Sequence, residues 1–201
     1  FPTRRSSDLG CVINDITSVG VLGTSYLNRL GHKKILLING PDECKDFSSF
    51  RILQEAYTST LIDNRITPDP RLVINEGLYI ADGSRAIEKA LADNLDFTAV
   101  FAISDWVALG AIECLERHGL RVPDDISVLG IDNIEVASLD RIGLTTIETY
   151  NPHSSAESMG AAAARILLDS LSSEDDAICT EHVIFKPKLV FRNSCKQVNK
   201  N

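Results

Sequence analysis

The sequence predicts an α/β fold in which a parallel sheet is flanked by helices, and two observations support this. Short, continuous apolar runs recur along the chain, as expected for strands that are buried on both faces of a sheet. Amphipathic segments of about 10 to 15 residues separate most of these runs, which is the spacing of βαβ crossovers. The predicted strands are 11–14, 34–40, 71–75, 98–104, 126–131 and 143–149, and the predicted helices are 18–31, 48–63, 82–94, 106–119 and 154–171.

The helix boundaries follow from residues that start or stop helices. Gly31 and Gly119 are placed to end the first and the fourth helix, because glycine readily adopts the left-handed conformation found after a helix. Ser104 or Asp105 can cap the fourth helix at its start. After residue 143 the pattern changes to one strand, an Ala-rich helix and two strand-like pieces within 181–194 that Pro187 interrupts.

The two ends of the chain are expected to lie outside the fold. The segment FPTRRSSDL, residues 1–9, back-translates to a sequencing-library adapter, so we interpret it as an artefact; a natural Arg/Ser-rich arm is the alternative. Residues 196–201 are predicted to form a tail. The formal net charge is −8. DNA affinity depends on Lys and Arg neutralising phosphates, so any DNA contact is expected from another part of the whole protein.

The five cysteines suggest a reducing compartment. They are odd in number, widely spaced and without a C-x-x-C pair, which favours free thiols in the cytoplasm over a disulfide framework or a zinc site.

The chain also lacks the usual phosphate-binding, zinc-protease and nucleophile-elbow motifs. His32 and His118 fall at predicted helix ends, where contact with backbone carbonyls is expected. We therefore expect no enzyme activity, no metal and no cofactor.

Four polar or aromatic residues lie at or just beyond the carboxyl ends of the predicted parallel strands and mark a candidate ligand site. They are Asn39, Tyr79, Ser104 and Asp132. Ligands of open parallel sheets bind beyond the carboxyl ends of the strands. Structural roles remain open for three of them: a turn for Asn39, an edge-packing aromatic for Tyr79 and a helix cap for Ser104. Asp132 has the strongest functional claim, because an unpaired carboxylate cannot remain in the core.

One family resemblance covers residues 12 to 195. The run AVFAISDWVALGAIECLERHGLRVPDDISVLGIDN, followed by LTTIE and PKLVFRNSC, resembles the effector-binding core of the lactose-repressor/galactose-repressor family of transcription regulators. The resemblance implies a periplasmic-binding-protein-like type I fold. It also implies a nearly complete C-terminal effector subdomain at 10–142, a return segment of the N-terminal subdomain at 143–177, and the final C-terminal strands at 178–195.

The same resemblance implies roles for individual residues. Tyr79 matches an aromatic residue that stacks on the effector, and Asp132 matches an acidic residue that binds its hydroxyl groups. Ser104 and Thr149 stand where the family commonly has Asn and Gln. The family's effector-binding arginine falls at Leu53 in this sequence, and the nearest arginine is Arg51. Two helical positions amount to about 200° of rotation, so Arg51 needs a local shift to take that role.

The function implied is a ligand-sensing domain of a bacterial transcription regulator. It would bind a small sugar-like or nucleoside-like effector, form a homodimer, and control operator DNA through a helix-turn-helix domain N-terminal to this sequence. One alternative is a periplasmic sugar-binding protein of a transporter, which shares the fold but has no DNA-binding partner. A second is an enzyme on a doubly wound sheet, such as a sugar transferase.

Overall fold

The computed structural model describes residues 10–41, 48–149, 158–172 and 181–198. These residues form two compact units. The larger unit comprises 16–41, 48–148 and 188–198, and the smaller unit comprises 10–15, 149, 158–172 and 181–187. Within the described residues, no helix combines the length and the apolar character needed to cross a bilayer.

The elements follow the predicted α/β order. The strands are β1 (Cys11–Asn14), β2 (Ile35–Asn39), β3 (Val73–Asn75), β4 (Ala99–Ala102), β5 (Ser127–Ile131), β6 (Thr145–Glu148), β7 (His182–Phe185) and β8 (Lys188–Val190). The helices are α1 (Ile16–Arg29), α2 (Ser48–Asp63), α3 (Ile80–Ala92), α4 (Asp105–Arg117) and α5 (Met159–Ser172). The glycines predicted to end α1 and α4 have positive φ, +94° at Gly31 and +77° at Gly119.

The larger unit is a three-layer sandwich. Its six-stranded sheet has the order β3-β2-β4-β5-β6-β8, in which β8 alone is antiparallel to its neighbour. Side chains of β2 alternate between the two faces, as strand geometry requires. Ile35 and Leu37 pack with α1 and α2, whereas Leu36 and Ile38 pack with α3 and α4. The continuous apolar runs in the sequence are therefore strands covered by helices on both faces.

Three of the predicted domain boundaries differ from the structure. Residues 10–15, predicted to open the C-terminal subdomain, belong to the smaller unit. The segment 143–148 does not return to the smaller unit, because β6 pairs with β5 in the large sheet. Conversely, β7 does not join that sheet but pairs in parallel with β1 in the smaller unit. Only β8 from the 178–195 segment reaches the large sheet, antiparallel to β6. These boundaries had been taken from the family resemblance, and the strand pairing, which joins residues far apart in the chain, places them differently.

The predicted tail is also partly ordered. The backbone N–H of Val198 donates to Leu30 O (2.8 Å), and that of Lys196 donates to Ser127 Oγ (3.0 Å). His32, which is buried, contacts Thr98 Oγ1 (2.9 Å) and Lys196 O (3.0 Å) through its two ring nitrogens. Residues 196–198 thus belong to the larger unit, while residues 1–9 and 199–201 lie outside the described residues.

The smaller unit leaves much apolar surface uncovered. Its described part is one helix and a two-stranded sheet. Several of its large apolar side chains are exposed, namely Ile13, Leu167, Leu168, Leu171 and Ile184. Two strands and one helix offer too little area to bury these groups, since stable sheets usually need more strands.

Two glycines allow α3 and α4 to pack at close range. A Cβ atom on Gly110 would lie 1.8 Å from the Ile80 carbonyl oxygen, and one on Gly83 would lie 2.0 Å from that of Val107. Both obstacles are backbone atoms, which cannot rotate away. The start of α3 is thereby fixed against the start of α4, and these two starts carry Tyr79 and Ser104.

We predict opposite effects for two Gly→Ala changes in helices. Gly110→Ala should lower the free energy of unfolding by about 1–3 kcal/mol or more, because overpacking forces the backbone apart. Gly160→Ala in α5 meets nothing within 4 Å and should be neutral or stabilising by up to about 1 kcal/mol, the difference in helix propensity. Urea denaturation followed by circular dichroism measures both. A stabilised Gly110→Ala variant would contradict the close packing of α3 and α4.

Candidate functional site

The four residues predicted at strand ends lie along one edge of the large sheet. Strands β3, β2, β4 and β5 are adjacent and parallel, so their carboxyl ends share this edge. Asn39 ends β2, Tyr79 follows β3, Ser104 follows β4, and Asp132 follows β5 directly. We call this edge the 39–132 rim.

Ser104 serves the scaffold, as its alternative interpretation predicted. Its Oγ accepts the backbone N–H of Val107 (3.2 Å), which caps α4, and lies 3.5 Å from Leu78 O. Asn39 is buried as well, and its Nδ2 donates to Phe50 O (3.3 Å). Asn39 therefore connects the end of β2 to the first turn of α2, and Ser104 connects the start of α4 to the segment before α3.

Tyr79 has its ring free for a ligand. The residue is 77% exposed, so edge packing, its alternative interpretation, does not describe it. Its backbone N–H donates to Asp82 Oδ2 (2.8 Å), which fixes the start of α3. A tyrosine held by its backbone with its ring in solvent can stack on a sugar or base ring.

Asp132 occupies a strained backbone conformation. Its φ is +107°, and that of Asn133 is +54°. Non-glycine residues in such regions cost about 1–3 kcal/mol each and persist where the surroundings impose them, often at ligand sites. The Asp132 N–H donates to Ile147 O (2.9 Å), but its carboxylate has no hydrogen-bond or ion-pair partner among the described residues. The residue is exposed, yet nearby protein partly desolvates the carboxyl group and raises its pKa.

A second carboxylate, Asp105, supports this strand end from within the core. It is completely buried. Its Oδ1 accepts the hydroxyl of Thr146 (2.6 Å) and its Oδ2 accepts the N–H of Ile134 (2.9 Å). A Cβ atom on Gly130 would lie 2.1 Å from Asp105 Oδ1, so glycine in β5 leaves space for the carboxylate. Burial raises the pKa of the Asp105 carboxyl to about 6, despite the two donors.

Asn133 is held by two charged side chains. Arg192 Nη2 donates to Asn133 Oδ1 (2.6 Å), and Asn133 Nδ2 donates to Glu148 Oε2 (2.8 Å). Arg192 Nη1 also donates to Leu144 O (2.8 Å). Sequence reasoning had treated Asp105 as a helix cap and had not considered Arg192. The glycine inside the apolar run of β5 was the available signal, since glycine within a strand often marks a close approach.

The structure explains the leucine at position 53. Leu53 is 1% exposed and lies close to Gly20 of α1, where a guanidinium would be buried without solvent. Arg51 lies on the exposed side of α2, pairs with Glu55 (2.8 Å) and borders a cavity of about 610 Å³ together with Asn39. Contact of Arg51 with an effector stays a prediction. So does contact of Thr149, which belongs to the smaller unit.

The remaining titratable groups that were considered have structural surroundings. Cys11, Cys114 and Cys195 are free thiols, and burial raises the pKa of Cys195 to about 12. His118 Nδ1 contacts Cys114 O (2.9 Å) at the end of α4, as predicted. Across residues 10–41, 48–149, 158–172 and 181–198, no group of His, Cys, Asp or Glu has the arrangement of a metal site. Cys44, Cys179 and His153 lie outside these ranges.

Comparison with known proteins identifies the domain. The model of the periplasmic binding protein-like domain family matches residues 24–195. The HTH-type transcriptional repressor PurR of Aliivibrio fischeri is 34% identical over 190 residues, which are 91% of this chain and 52% of that protein. A LacI family transcriptional regulator from Mycobacterium smegmatis has a TM-score of 0.79 at 27% identity, covering 98% of this chain and 68% of that one.

A third similar protein was solved with a ligand. The transcriptional regulator CelR, in complex with cellobiose, has a TM-score of 0.81 at 27% identity, covering 96% of this chain and 56% of that chain. This chain spans about half the length of the curated relatives it matches. It belongs to the family of periplasmic binding protein-like domains, in the form that LacI-family transcriptional regulators use as their effector-binding domain.

Proposed function

We propose that this chain is the ligand-sensing part of a cytoplasmic transcription regulator. It binds a small sugar-like or nucleoside-like effector, and a helix-turn-helix domain N-terminal to this sequence contacts operator DNA. The observation that carries the proposal is the Asp132 carboxylate, which has no partner among the described residues and stands at a strained strand end. It lies on the same sheet edge as the exposed ring of Tyr79.

The chemistry of this edge favours a ligand that carries hydroxyl groups. A carboxylate accepts strong, charge-assisted hydrogen bonds from hydroxyls. An exposed tyrosine ring packs on the apolar face of a sugar or on a nucleobase. The cellobiose bound to CelR supports the sugar class for this chain, and cellobiose is therefore the first probe to test.

The relatives favour a regulator over the two alternatives. The similar proteins reported above are transcriptional regulators, which are neither transporter components nor enzymes. We accordingly expect no turnover of the effector. An effector that binds one conformational state of the domain more tightly shifts the population toward that state. This shift is the step by which binding would change the affinity of the whole protein for DNA.

We also propose that the regulator is a homodimer. Two small residues of α4, Ala108 and Ala111, are buried in the core and are not available for such a contact. Three larger apolar side chains nearby, Leu109, Ile112 and Leu139, are only partly buried or exposed. Leu139 is 47% exposed, so this face of the larger unit can pair with a second copy.

Effector binding should depend on Asp132 and Tyr79. Thermal-shift and calorimetric titrations of the full-length regulator with cellobiose, monosaccharides and nucleosides should find a ligand that raises the melting temperature. Asp132→Asn should lower the affinity for that ligand about tenfold to a hundredfold, because it removes a charged acceptor. Tyr79→Ala should also lower this affinity, because it removes the ring on which the ligand stacks. Glu135→Gln, a nearby exposed carboxylate, is the matched control and should bind normally. Unchanged affinity in Asp132→Asn would rule out this site.

Dimerisation should depend on Leu139. We expect sedimentation equilibrium to show a dimer for the wild type and a monomer for Leu139→Asp, because a charge in the contact would remain desolvated. Val21→Asp, which alters an exposed apolar residue of α1, should leave the dimer intact. A monomeric wild type, or a dimeric Leu139→Asp variant, would refute the proposed contact.

A further inference from the structure

We propose that Asp105 is a positioning residue for the 39–132 rim: it holds the backbone of residues 132–134 from inside the core and couples effector affinity to pH. The inference rests on the proposed function, because it concerns the regulation of the same site. Asp105 itself is buried completely, so its influence on the effector passes through the loop that it holds.

The first step of the argument is geometric. The two carboxylate oxygens of Asp105 bind two different elements, the hydroxyl of Thr146 in β6 and the backbone N–H of Ile134 after β5. Asp105 also begins α4. A single side chain therefore joins α4, β6 and the loop that carries Asp132.

The second step concerns the loop conformation. Asp and Asn tolerate positive φ better than other residues with a Cβ, but the φ of +107° at Asp132 lies well outside the usual left-handed region at about +57°, so contacts that hold this conformation matter. The backbone supplies one contact, from Asp132 N–H to Ile147 O, and Asn133 N–H lies 3.3 Å from Thr146 Oγ1. Ile134 N–H to Asp105 is the bond that closes the loop. Without it, the partly buried N–H of Ile134 would lose its acceptor.

The third step is electrostatic. Desolvation is the main reason why the pKa of Asp105 rises to about 6, and the negative charge of Asp132 raises it further. Thr146, the Ile134 N–H and the positive charge of Arg192 lower it. Among the described residues, Asp132 and Arg192 are the charged groups that act on Asp105. The charge of Asp132 therefore influences the protonation of Asp105, the carboxylate that holds the loop.

The consequence for binding follows from the acceptor role of Asp105. When Asp105 takes up a proton, its carboxyl group becomes a weaker acceptor for Ile134 N–H and must donate where Thr146 now donates. The hold on the 132–134 loop then weakens, and Asp132 loses its fixed direction. Effector affinity should fall as the pH drops through about 6, the pKa of the Asp105 carboxyl.

The contribution to stability has the opposite sign. The pKa of Asp105 in the folded protein lies above the usual value of 3.8, so the folded state binds this proton more tightly than the unfolded chain does. Stability from this group is fully present below about pH 4 and is lost as the pH rises through about 6. Low pH thus raises the contribution of Asp105 to the free energy of unfolding, while it weakens the hydrogen bond that holds the 132–134 loop.

The test compares the wild type with three variants of the full-length protein. Asp105→Asn fixes the side chain in a neutral form. Thr146→Val removes one donor to Asp105, and the acceptor of Asn133 N–H, while the carboxylate stays. Tyr57→Phe is the matched control, because it deletes a buried hydrogen bond to Ile35 O (2.7 Å) elsewhere in the same unit. Amide hydrogen exchange at Ile134, NMR titration of the Asp105 carboxyl carbon, and calorimetry with cellobiose are the measurements.

The proposal predicts a specific set of results. Asp105→Asn should speed exchange at Ile134 about tenfold or more, the change expected when one charge-assisted hydrogen bond is lost. It should also weaken cellobiose binding about tenfold at pH 7.5, because the loop no longer fixes the direction of Asp132. Tyr57→Phe should change neither. The titration midpoint of the Asp105 carboxyl should lie near pH 6 in the wild type. It should rise in Thr146→Val, which removes a hydrogen bond that lowers the pKa, and fall in Asp132→Asn, which removes a negative charge that raises it. Calorimetry at pH 5 should show weaker binding to the wild type.

The contrary results are equally distinct. Unchanged Ile134 exchange in Asp105→Asn, or an Asp105 midpoint that ignores Asp132→Asn, would overturn the positioning role. Both measurements need no ligand, so they decide the proposal even if cellobiose does not bind the wild type. Absence of binding by cellobiose and by the other probes would instead count against the proposed function. Equal cellobiose affinity in the wild type and Asp105→Asn would overturn the link to the effector.

Discussion

The structure of the candidate site depends on the way in which one buried carboxylate meets the end of β5. Asp105 accepts hydrogen bonds from Thr146 and from Ile134 N–H, and a glycine at 130 provides the space. Placing a carboxylate in the core is costly unless donors surround it. These two donors offset part of that cost. The same two hydrogen bonds connect α4 to β6 and to the segment after β5, at the edge where ligands of such sheets bind.

The division between the two aspartates explains how the site combines rigidity with binding capacity. Asp105 is satisfied by protein and fixes the backbone. Asp132, which directly follows β5, keeps its carboxylate free of partners among the described residues. Arg192 and Glu148 bind the side-chain amide of Asn133. Together with Asp105, three charged side chains therefore hold the 132–134 loop. Under the proposed function, the ligand would meet an acceptor whose direction is already set, which would reduce the entropy lost on binding.

Much of the fold was predictable from the sequence, because helices and strands leave local patterns. The apolar runs of β2, β4 and β5 and the helix-ending Gly31 and Gly119 all lie where the sequence placed them. The partners of β6 and β7 were not predictable, since pairing depends on residues far apart in the chain. Asp132 lies at the predicted edge of the sheet. The role of Asp105 was missed, because an aspartate that caps a helix and a buried aspartate that bonds two other elements have the same pattern in sequence.

The central claim is that Asp132 receives the effector, and the most direct measurement is a crystal structure of the full-length regulator with its effector bound. The account predicts a ligand hydroxyl or N–H group within about 2.5–3.2 Å of an Asp132 carboxylate oxygen, with Asp132 and Asn133 still at positive φ. A ligand bound away from this edge of the sheet, with the Asp132 carboxylate in solvent, would contradict it.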